Sequence, residues 1–109
     1  VGDVEPGELE AEEIIRRASE LFLYTREELF GRGMTRHLVR RRQALFYALR
    51  ELTDMSYPCL ARLTGFDHST IMHAVVKVRK EMEMGGVTAV VARRLLTALE
   101  AIPVSVEFY

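Results

Sequence analysis

A chain of 109 residues, 49% apolar and 28% charged, is long enough to bury one core and too apolar to stay disordered. No apolar run approaches the roughly 18–20 residues that span a bilayer. The acidic start, VGDVEPGELE, excludes a secretory or transit segment, and the lone Cys59 excludes an internal disulfide and suits a reducing cytoplasm. The net charge of −1 conceals a polarity: residues 1–30 carry nine acids and three bases, 31–50 six arginines and no acid, and 51–109 seven acids and six bases. Such a basic block is either an electrostatic footprint for a polyanion or a solvated helix face.

In chain order, residues 8–23 place Ile14, Ala18, Leu21 and Phe22 on one face at helical spacing. Thr25 and Glu28 have the spacing of a capping box for a short helix through Phe30, which Gly31 ends. Gly31 to Thr35 form a short basic loop. A long helix over 36–53 turns Leu45, Ala48, Leu49 and Leu52 inward. Ser56 caps a short helix over 57–63 with Pro58 in its first turn, and Thr64-Gly65-Phe66 stops it. Asp67 caps a helix over 68–83 whose buried stripe is Ile71, Val75, Val78 and Met82, closed by Gly85-Gly86. A last helix over 88–101 ends before Pro103, and Val104 to Phe108 alternate like a lone strand. The expected architecture is one all-α domain over 1–109 with a central helix-turn-helix and an extra C-terminal helix, residues 1–7 forming an acidic arm.

Two helices over 57–63 and 68–83, joined at Gly65, have the dimensions of a helix-turn-helix that reads double-stranded DNA. In that motif the first residues of the second helix meet base edges in the major groove. Here they are Asp67, His68, Ser69 and Thr70, short polar groups placed before the apolar stripe begins. By itself the geometry is generic, since many helical domains contain a short helix, a glycine turn and a longer helix.

The particular residues narrow the reading. Arg42-Gln43-Ala44, Glu51-Leu52-Thr53, Ser56 with Pro58, and Asp67-His68-Ser69-Thr70-Ile71-Met72-His73-Ala74 follow one another in that order. Residues 42–78 thereby resemble the C-terminal DNA-binding domain, domain IV, of the bacterial replication initiator DnaA, a Trp-repressor-like helical fold. The resemblance runs more loosely upstream to about residue 14 through Glu20-Leu21-Phe22 and Leu29-Phe30, and it covers 14–83 in outline.

The resemblance implies base contacts from Asp67, His68, Ser69, Arg50 and Pro58, the proline meeting a thymine methyl. It implies phosphate-side positions for Thr70, Arg42 and Gln43, which set register without reading sequence. The basic loop would enter the adjacent minor groove, and Arg32, Arg36 and Arg40 add electrostatic attraction. Two departures stand out. Met34 occupies the place of the family's principal minor-groove arginine, which passes that contact to Arg32 or Arg36 or removes it. The turn before Asp67 reads Thr-Gly-Phe where the family has Phe-Gly-Gly-Arg. There is also no P-loop, so the chain resembles the DNA-reading module standing alone, with no nucleotide and no ATPase.

Other constellations carry less. His68 and His73 lie about 140° apart on one helix and cannot share a metal, and no paired cysteines occur, so neither metal nor cofactor is expected. His73, near the apolar stripe, reads as a packed structural residue, and Cys59 as packing rather than a nucleophile. No catalytic constellation suggests an enzyme. Residues 87–109 exceed the resemblance; their broad apolar face either packs on the first helix or forms a homodimer or protein-partner surface. The expected setting is cytoplasmic, at a bacterial nucleoid or in a phage-infected cell, with no membrane contact. The alternative function is a protein-interaction adaptor that keeps the fold without DNA binding.

Overall fold

The computed structural model describes residues 7–104, with side chains described over 7–100. Its six helices are α1 (Glu8–Phe22), α2 (Arg26–Leu29), α3 (Arg36–Leu52), α4 (Tyr57–Thr64), α5 (His68–Met84) and α6 (Val87–Val104). The all-α expectation holds across the described residues, and the helix boundaries fall where local chemistry puts them. Thr25 and Glu28 form the full capping box of α2. The hydroxyls of Thr35 and Ser56 accept the N–H groups of Leu38 and Cys59 at the starts of α3 and α4. Gly65 ends α4 at φ 83°, a left-handed conformation that costs glycine nothing. Its N–H donates to Ala61 O at 2.8 Å.

α3 is the central rod, touching each of the other five helices. Leu45, Phe46, Ala48 and Leu49 point from it into a core completed by Ile15 of α1, Leu60 of α4, Ile71 and Val75 of α5, and Leu95 of α6. Each large buried side chain removes roughly 1.5–3 kcal/mol of apolar surface from water. This core holds α4 against α5 and fixes the angle at which the start of α5 leaves the domain.

Several positions differ from the sequence expectation. Leu21, 40% exposed, and Leu52, 49% exposed, lie outside the core. On α1 the inward face is Ala11, Ile14, Ile15 and Ala18, a stripe rotated toward Ile15. Leu52 is the last residue of α3. His73 is exposed rather than packed, because α5 buries Ile71, Ala74, Val75 and Val78 and turns residues 72 and 73 outward. α6 continues through Pro103 to Val104. A proline's fixed φ of about −65° is itself helical, and in a last turn it forfeits only one backbone bond. The strand-like alternation expected over Val104 to Phe108 begins at a residue that lies in α6, and its remainder, 105–108, falls outside the described residues, as does most of the acidic arm, 1–6.

α6 packs on α1, α3 and α5 through Ala89, Val91, Ala92 and Leu95, while Val87 and Val90 face outward. Its start is held by Glu81 of α5, whose Oε1 accepts the Ala89 N–H at 3.0 Å across the Gly85-Gly86 turn. Among the described residues no helix is long and apolar enough to cross a membrane.

Candidate nucleic-acid interface

The start of α5 is built by Asp67. Its Oδ2 accepts the Ser69 N–H at 3.0 Å and its carbonyl accepts the Ile71 N–H at 3.2 Å. One oxygen of the carboxylate is thus committed to capping while the residue remains exposed. His68 and Thr70 are exposed and Ser69 is half-buried, so three neighbouring polar side chains are presented on the first turn. The N–H groups of a helix's first turn have no intrahelical partner, and the helix dipole makes this end attractive to anions. Pro58 is exposed in the first turn of α4, the helix that packs against α5.

The expected arginines divide into two groups. Arg32 and Arg36 are exposed, and Arg40 is half-buried. Three carboxylates of α1 are engaged by other arginines. Glu13 pairs with Arg16 and Arg17, Glu20 with Arg16, and Glu12 with Arg26, at 2.6–2.8 Å. Neighbouring Arg41 has its pKa pushed below the ordinary arginine value, by burial first and also by the like charges of Arg94 and Arg40.

Arg42 and Arg50 are placed differently from their neighbours. Arg42 is only 4% exposed. Its Nε donates to Leu29 O at 2.5 Å, and its Nη2 to Gly33 O at 3.0 Å and Glu28 O at 3.5 Å. Burial pushes its pKa below the usual arginine value. A guanidinium so enclosed and so engaged has little left for a phosphate, and the phosphate contact expected of Arg42 is withdrawn. Arg50 is half-buried at the α3–α4 corner, with Nη1 donating to Met55 O at 2.8 Å. Gln43 is also engaged: its Oε1 accepts from Lys77 Nζ at 3.3 Å, and the same ammonium reaches Glu81 and Thr88.

One residue at the site escaped sequence reasoning. Phe66, read only as part of the turn that stops α4, lies edge-on to Phe46 and Phe30, with ring centroids 5.3 and 6.5 Å apart. The Arg42 guanidinium lies over its ring at 5.1 Å. The available signal was position: Phe66 directly precedes the capping Asp67 and ends the helix-turn-helix turn. Among the described residues, no three His, Cys, Asp or Glu side chains converge as a metal site would require.

The comparisons with known proteins fall on this same region. The family model described as the bacterial dnaA protein helix-turn-helix matches residues 11–78, which include α3, α4 and most of α5. A similar curated protein is the chromosomal replication initiator protein DnaA of Mycobacteroides abscessus, 43% identical over 82 residues. That alignment takes in 75% of this chain and 17% of the initiator, so the chain spans less than a fifth of that relative's length.

Proposed function

The chain belongs to the bacterial DnaA helix-turn-helix family, and on that premise we propose that it reads duplex DNA at sites related to those of the replication initiator. Family membership supports DNA binding in replication initiation. The preference for initiator-box-like sequences, and the individual contacts, are the finer part of the proposal. The carrying observation is the first turn of α5: a capped helix start with Asp67, His68, Ser69 and Thr70 outside the core, on a helix held by α4.

In this reading His68 and Ser69 meet base edges, the free oxygen of Asp67 accepts from a cytosine amino group, and Pro58 meets a thymine methyl. Thr70 binds phosphate. Arg32 on the loop and Arg36 at the start of α3, with Arg40 behind them, supply the electrostatic part of the affinity and reach toward the minor groove. Arg50 contributes from the α3–α4 corner. Gln43 faces the backbone through the polar cluster around Lys77.

Fluorescence anisotropy with a labelled duplex carrying an initiator box, against a shuffled duplex, tests the proposal. With about four phosphates neutralised, log K falls against log salt with a slope of about −3.6 on both duplexes. The expected result is that slope together with tighter binding to the box. Equal affinity for both duplexes refutes sequence reading, and absence of binding at low salt favours the adaptor.

A further inference from the structure

Arg42 is the one arginine of the basic block that the fold buries. Taking a guanidinium out of water is unfavourable unless its N–H groups are bonded. Here the planar fork is bonded to the backbone of a single segment, at Glu28, Leu29 and Gly33. These carbonyls lie on both sides of Phe30-Gly31-Arg32, so one rigid plane sets the path of the chain that carries Arg32.

The same guanidinium lies over the ring of Phe66, 5.1 Å from its centroid. Phe66 in turn meets Phe30, the residue that opens the loop, and both meet Phe46 of α3, Phe30 in a stacked arrangement at 6.1 Å. Loop and helix-turn-helix turn are distant in sequence, yet they share one support of Arg42 and three phenylalanines.

We propose that Arg42 is a positioning residue that fixes the basic loop relative to the turn ending at Phe66, so that loop and recognition helix engage one duplex in register. The inference rests on the DNA-binding reading above, but it assigns Arg42 no contact with DNA. A lysine at this position keeps the charge but presents a point cation, which cannot bond three carbonyls and stack on a ring at once. Charge and positioning are therefore separable.

The experiment uses the 109-residue protein, Arg42→Lys and Phe66→Leu, with two readouts. One is the set of ¹⁵N order parameters of residues 31–35 in the free protein. The other is the affinity ratio of the most enriched duplex from a random library to a shuffled duplex, with the salt slope of each. In Arg42→Lys the loop order parameters are expected to fall from about 0.85 to below about 0.6 while those of α6 stay rigid. The affinity ratio is expected to fall about tenfold at an unchanged salt slope. Phe66→Leu is expected to lower the ratio while the loop stays ordered.

Retention of both loop order and selectivity in Arg42→Lys overturns the proposal. Loosening throughout the chain also overturns it, because Arg42 would then be an ordinary core residue. An unchanged ratio in Phe66→Leu removes the coupling to the turn. If the wild-type protein prefers no duplex, the DNA-binding reading fails, and the loop order parameters alone decide whether Arg42 positions the loop.

Discussion

The guanidinium of Arg50 stands 4.6 Å from the ring centroid of Tyr57, joining the last turn of α3 to the first residue of α4. With the bond from its Nη1 to Met55 O, this contact makes Arg50 a brace for the corner that aims the helix-turn-helix. Arg50→Ala is accordingly expected to lower stability by about 2–4 kcal/mol, the sum of a charged hydrogen bond and a cation–π contact. Urea denaturation measures it; a midpoint identical to that of the unmodified protein contradicts the bracing role.

His68 stands exposed on the first turn of α5 with no core contact to lose. His68→Ala should leave the thermal midpoint unchanged and weaken binding to the preferred duplex by about 1–3 kcal/mol. Binding to shuffled DNA should change little. Equal losses on the two duplexes would remove the histidine from base reading.

Glu81 introduces a pH dependence that does not involve DNA. Burial raises its pKa, but hydrogen bonds from Lys77 and from the Ala89 N–H outweigh burial, and the carboxyl sits below its ordinary value. A carboxyl depressed by folding adds stability that is present above its unfolded pKa. That stability is lost as pH falls through the lower folded value. Glu81→Gln should therefore lie below the unmodified protein at neutral pH by about 0.5–2 kcal/mol, the worth of a helix cap. The two should converge in acid, as thermal melts across that range would show. A gap independent of pH contradicts the assignment.

Gly65 has φ 83° with nothing near the position a Cβ would occupy, so a substitution there probes backbone conformation alone. Gly65→Ala is expected to cost about 1–2 kcal/mol, and Gly65→Asn less, since asparagine tolerates the left-handed region. Equal stability of all three proteins by denaturant titration would show that the turn relaxes to another conformation.

Much of this arrangement was legible in the sequence because it rests on local chemistry. Thr25, Ser56 and Asp67 cap helices through atoms two or three residues away, and Gly65 and Gly85 end helices through their own backbone freedom. Burial was legible only to the precision of helical phase. Leu21 and Leu52 carry the right chemistry for a core, but exposure depends on where neighbouring helices run. The roles of Arg42 and Phe66 were illegible for a stronger reason. Arg42 meets carbonyls up to 14 residues upstream and a ring in the helix-turn-helix turn, contacts that only the folded chain creates. In sequence, a buried arginine in a run of three looks the same as its exposed neighbours.

Selection from a random duplex library at moderate salt, followed by sequencing of the enriched pool, tests the central claim most directly. The account predicts enrichment of one short motif related to the initiator box, with reduced enrichment when His68 is replaced by alanine. A pool that stays random, with retention that only follows ionic strength, would contradict sequence-specific reading by the first turn of α5.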